Sequence, residues 1–290
     1  MKKMTTYSRR TLVRSGVFGL LAVPFSGLLF AKGNAGPGEG FKKEGPLFHR
    51  YPSIDDDIVA EVVGASHFNF DRVKELVAHR PELARATWDW AFGDWETALG
   101  AASHVGRRDI ANFLIEHGAR PDIFTFAMFG RFEVVKSMIA SSPGIESIAG
   151  PHGISLLSHV KAGLRTDYGI PLSDEQVESS NQLIAYLEEL GTADRKEKDI
   201  PMTQEEKDRY TGDYRYGEGE KEGFSVKYNM RGNLSLGKLG KSGGALFQKS
   251  PNVFTYNGVP SVEVHFEVRE NEVLSLTVHE PDLTLKAVKV

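Results

Sequence analysis

Residues 96–142 constrain the fold more than any other stretch. Thr97 stands where a helix N-cap belongs, and Leu99, Ala101 and Ala102 continue as a helix of small and apolar residues to Gly106. A second helix carries Ile110, Phe113 and Leu114 on one face and stops at Gly118. A start signal, a tight turn and a C-terminal glycine together read as helix–turn–helix. The unit then recurs: Gly130-Arg-Phe-Glu-Val-Val-Lys-Ser-Met-Ile139 repeats Gly106-Arg-Arg-Asp-Ile-Ala-Asn-Phe-Leu-Ile115 position for position. A repeated helix pair cannot bury its apolar face alone, so it must pack on neighbours.

Thr97, Leu99, Ala102, Gly106, Leu114, Gly118 and Ala119 match a known pattern. On them the stretch resembles the ankyrin repeat, with Ala98 and Gly100 departing at the usual Pro and His positions. The resemblance implies an all-α ankyrin-repeat solenoid over 54–194, built from about four repeats, some degenerate. A first repeat is expected over 54–80 from Ile58, Val59, Val62 and Val63, then Val73, Leu76 and Val77. The third covers 121–142. The fourth covers 154–193, with Leu183, Ile184 and Leu187 inward and Gly191 as its stop. Ankyrin repeats generally bind other proteins and do not catalyse.

The chain has 290 residues, a net charge of −4 and no cysteine. That charge gives no footprint for nucleic acid, whose binders carry a basic patch or stripe. The missing thiols exclude disulfides, thiolate metal sites and a cysteine nucleophile. Ser8-Arg9-Arg10-Thr11-Leu12 resembles a twin-arginine export signal. A weakly apolar run from Gly16 to Ala31 and small residues at 33–35 follow it. A cleaved signal over 1–35 and a periplasmic destination are expected, with a flexible linker at 36–53. Sixteen apolar residues are short for a membrane span, which needs about 20, so no membrane anchor is expected after cleavage.

Residues 195–209 are charged and read as a linker. From Tyr210 the apolar period changes from 3.6 to 2. Phe224, Val226 and Tyr228 alternate, as do Leu234 and Leu236, then 262–268, 273–278 and 283–290. About eight short strands predict a small antiparallel β-barrel or half-barrel over 210–290. Tyr210-Thr-Gly-Asp-Tyr214 opens a module that resembles the small C-terminal β-domain found behind serine β-lactamase-like hydrolases.

That neighbourhood prompts a search for catalysis. Ser158-His-Val-Lys161 has the Ser-x-x-Lys spacing of those enzymes but falls inside a repeat helix, and the large catalytic domain is missing. No catalytic residue is expected. His152 and His159 lack partners at i+3 or i+4, His104 and His117 read as exposed histidines at helix ends, and there is no His-Glu-x-x-His, so no metal or cofactor is expected. The aromatic stretch between the first two repeats has a functional edge: Trp88, Trp90, Phe92 and Trp95 fall within eight residues. Such side chains are favoured at interfaces, and these four are the candidate partner-binding residues. The reading is a non-enzymatic scaffold that binds another periplasmic protein. One alternative is a small ligand or peptide held in the barrel, and a remote one is an accessory to a hydrolase.

Overall fold

A computed structural model describes residues 50–290 apart from 196–197, 230 and 242. The expected signal at 1–35, and the spacer up to residue 49, lie outside the described residues. The helices come in pairs: α1 (Asp56–Ala65) with α2 (Phe70–His79), α3 (Ala98–Val105) with α4 (Arg108–Glu116), α5 (Ile123–Met128) with α6 (Phe132–Ser141), and α7 (Leu156–Gly163) with α8 (Asp174–Leu190). Side chains written into the sequence start most of them. Asp55, Asn69, Thr97, Asp122, Ser155 and Ser173 each accept from a backbone N–H of the first turn. Leu76, Ile110, Leu114, Leu156, Leu183 and Leu187 are buried on the inward faces.

The all-α ankyrin-repeat solenoid expected over 54–194 does not form. The helices are short, mostly six to ten residues. A two-stranded hairpin, β1 (Thr87–Asp89) with β2 (Trp95–Thr97), and 3-10 turns at Pro81–Arg85, Ile145–Ser147 and Pro151–Gly153 interrupt them. In a solenoid each repeat touches only its neighbours, but here α3 packs directly on α7, two pairs away, as well as on α1 and α5. Small residues permit that closure. A Cβ on Gly163 would stand 1.8 Å from the Met128 carbonyl oxygen, and one on Gly106 would stand 2.1 Å from that of Ala162. Periodicity located the helices, but it could not register backbone approaches this close.

A short helix, α9 (Gln204–Asp208), leads into the second layer of structure. Eight strands follow: β3 (Gly212–Arg215), β4 (Gly223–Tyr228), β5 (Leu234–Lys238), β6 (Gly244–Ser250), β7 (Val253–Tyr256), β8 (Val259–Arg269), β9 (Glu272–His279) and β10 (Thr284–Lys289). They close into an antiparallel barrel in the order β10-β3-β4-β5-β6-β7-β8-β9. An eight-stranded barrel has an interior just wide enough for side chains to fill. Tyr214, Phe254, Tyr256, Val264 and Phe266 fill it here, with Phe254 and Phe266 edge to face at 5.3 Å. The closed barrel is a large part of the fold, which the expected all-α emphasis understated.

The helices and the barrel belong to one compact unit. Ala91 and Phe92, at the tip of the β1–β2 hairpin, pack on the barrel core, and the Phe92 ring lies 4.9 Å from that of Tyr256. Ile200 donates its backbone N–H to the Gln248 carbonyl at 2.9 Å, so the connection runs along β6.

Candidate metal centre

Four separate segments bring three imidazoles to one buried carboxylate. Glu96 is the middle residue of β2, just before Thr97 caps α3, and its side chain is fully buried. His104 sits in the last turn of α3. His67 follows the end of α1, where Ser66 caps the helix. His152 is the central residue of the 3-10 turn Pro151–Gly153, at φ 58°, a left-handed conformation rare outside glycine.

The ring nitrogens face the carboxylate. His104 Nε2 lies 2.9 Å from Glu96 Oε1, His152 Nε2 lies 3.4 Å from the same oxygen, and His67 Nε2 lies 3.4 Å from Oε2. One ligand atom from each of the four residues falls within 4.8 Å of all the others. Adjacent ligands on a tetrahedral ion bound at about 2.0–2.1 Å stand about 3.3 Å apart, close to the three nitrogen–oxygen separations here, which involve both oxygens of Glu96. The 2.9 Å approach is an ion-pair distance, but neither Glu96 Oε1 nor His104 Nε2 makes a hydrogen bond of good geometry.

The surrounding groups orient the ligands. His67 Nδ1 is 3.1 Å from the Gly64 carbonyl, which can only accept, so this nitrogen carries the proton and Nε2 is free to ligate. His152 Nδ1 lies 2.7 Å from Asp94 Oδ2, while its backbone N–H donates to Asp94 Oδ1 at 2.9 Å. A carboxylate or backbone carbonyl on the far nitrogen is the usual support for a metal-binding histidine. The Trp90 indole N–H donates to Glu96 Oε2 at 2.7 Å and fixes the carboxylate plane.

Charge is strongly organised here. Burial by itself raises the pKa of Glu96, but the neighbouring His104 and His152 outweigh it and hold the carboxyl well below the usual range. Burial opposes the charged form of His152, but Asp94 and Glu96 outweigh it and push this histidine up to about 10. His104 is lowered, mainly by burial. A fourth histidine, His159, stands behind His104 with ring centroids 6.4 Å apart. It is buried against Phe124, its Nδ1 lies 2.9 Å from the Ser155 carbonyl, and burial lowers its pKa to about 4.

Three nitrogens and one carboxylate suit zinc or a neighbouring first-row ion. Magnesium and calcium prefer all-oxygen shells. His67 and His152 are about a fifth to a quarter exposed, so the centre borders solvent on their side.

The four aromatics expected to bind a partner have separate fates. Trp88 is half-buried and pairs with Glu96 in the β1–β2 ladder. Trp90 is half-buried and serves the carboxylate. Phe92 meets the barrel. Trp95 is 62% exposed. Lys161, tested above for catalysis, pairs with Glu188 at 2.9 Å. The expectation of no metal ligands rested on local spacing. His67, Glu96, His104 and His152 come from four different elements, so no local spacing encodes them. The one sequence signal was the pair of acidic residues, Asp94 and Glu96, flanking Trp95. A scan against protein-family models matches none of them and a comparison with curated proteins gives no match, so functional assignment starts from this geometry.

Proposed function

We propose that this protein binds one divalent transition-metal ion through His67, Glu96, His104 and His152. The observation that carries the reading is the convergence of three Nε2 atoms on a fully buried carboxylate, with the far nitrogens of His67 and His152 already held. Four protein ligands form the closed set of a structural ion, whereas catalytic zinc keeps three ligands and an open position. Binding, not catalysis, is therefore the proposed role. The export signal expected at 1–35 would put this centre in the bacterial periplasm.

A titration of the purified mature chain with zinc, in competition with a chromophoric chelator, tests the reading. One equivalent bound at submicromolar affinity is expected, with Glu96→Gln weakened at least about 100-fold, since even outer-shell changes cost 10–100-fold. Wild-type protein that binds zinc no better than Glu96→Gln overturns the assignment and leaves a charge network centred on His152.

A second reading has one specific observation in its favour. Trp95 presents most of its indole to solvent, as a protein-binding scaffold requires. The aromatic filling of the barrel weighs against a small ligand held inside it.

A further inference from the structure

We infer that the metal centre is a clamp that sets how firmly the barrel docks on the helices, an inference that rests on the metal reading above. Two segments carry ligands or their supports and also reach the barrel. The first is the β1–β2 hairpin. It holds Glu96 and Asp94 at one end and inserts Ala91 and Phe92 against the barrel core at its tip. The second is the turn Pro151–Gly153. It supplies His152, and its next residue, Gly153, meets Gly258 backbone to backbone: a Cβ on Gly258 would stand 2.7 Å from the Gly153 amide nitrogen.

The two barrel contacts fall close together, at Tyr256, the last residue of β7, and Gly258, in the β7–β8 connection. The two segments are also joined at the centre, where Asp94 of the hairpin accepts from both the backbone and the ring of His152. Both hold a non-glycine residue in the left-handed region, Phe92 at φ 58° and His152 at φ 58°. Such conformations persist only when their surroundings over-determine them. An ion that ties Glu96 and His152 to His67 and His104 supplies that determination. It fixes hairpin and turn to the helices, and through Phe92 and Gly153 it fixes the barrel.

Coupling of this kind is reciprocal. If the ion favours the docked barrel by some factor, a barrel held loose weakens the ion's binding by the same factor. Hydrogen exchange of the full mature chain, with zinc and with a chelator, reads the first half. Exchange of backbone amides over 244–258 should slow at least about tenfold on zinc binding, and amides in β9, away from the contact, should not follow. Zinc affinity of Phe92→Ala, measured by chelator competition, reads the second half and should fall about tenfold while one equivalent still binds. Phe92→Leu, which keeps an apolar plug, should lie closer to wild type. Zinc that binds to the wild type without slowing exchange over 244–258 overturns the clamp and leaves the metal site standing. Failure to bind zinc at all removes both. The wild-type comparison needs no variant to fold.

Discussion

His104→Leu separates a metal ligand from a buried structural histidine, because the two roles predict different results with and without the ion. His104 is 9% exposed, and neither ring nitrogen has a hydrogen-bond partner. Without metal, a side chain of similar volume keeps the packing but takes away one of the two histidines that hold buried Glu96 charged. Such a change costs on the order of 1–3 kcal/mol. With metal, the cost grows. Zinc at about 100 times its dissociation constant stabilises wild type by about 2.7 kcal/mol. For a folded body of roughly 240 residues, at about 2–4 °C per kcal/mol, that is a rise in Tm of about 5–11 °C. Loss of one ligand that weakens binding about 100-fold leaves roughly 0.4 kcal/mol at the same zinc concentration, a rise of under about 2 °C. Differential scanning fluorimetry with and without zinc gives all four numbers. If the variant keeps the full zinc-dependent rise, His104 is not a ligand. If the variant melts far below wild type even in chelator, the histidine is part of the packing.

Trp90→Phe keeps a ring but leaves Glu96 Oε2 without its donor, so urea denaturation should show a loss of about 1.5–3 kcal/mol. Trp95→Ala, at a site 62% exposed, should stay within about 0.5 kcal/mol; a large loss there would end the reading of Trp95 as a free contact residue. Burial depresses the His159 pKa from its ordinary value near 6.5 to about 4, so its contribution to stability is complete above about pH 6.5 and is lost as pH falls toward 4. That loss is on the order of 3 kcal/mol. His104, Asp122 and Glu96 are the charged or titratable groups that act on it. Urea melts of wild type and His159→Leu from pH 7 to 4 should converge as pH falls, and parallel curves would show that His159 does not titrate this way.

The local elements were legible in the sequence because each is specified by neighbours in the chain. Thr97 announced α3, and Gly191 announced the end of α8. The alternation of Phe224, Val226 and Tyr228 announced β4, and the count of eight strands was right. What could not be read was set by approaches across the chain. The repeat at Gly106 and Gly130 suggested an open stack. Whether Gly163 lets α7 close on α5, and whether α3 then touches α7, depends on backbone distances with no periodic signature. The metal centre was hidden for the same reason. Glu96 and His104 are eight residues apart, across a helix cap, and His67 and His152 lie 85 residues apart (152 − 67). The tryptophans were noticed for their size, but Trp90 turned out to matter through its single N–H.

Barrel closure makes the final strand a kinetic gate. β10 pairs with β9 on one side and with β3 on the other, joining Val288 to Arg215 and Lys289 to Tyr214, and Val290 donates to the Asp213 carbonyl. No earlier strand can take its place, so a ribosome that has made β3 through β9 holds a sheet with two bare edges. Bare edges recruit strands from other chains. The same hazard returns whenever residues 284–289 fray in the finished protein, and the two exposed rows then lie on opposite sides of one gap. A chain built this way is safest when its six-residue strand β10 arrives quickly, and a nick or frameshift near residue 284 should promote aggregation while leaving every helix intact.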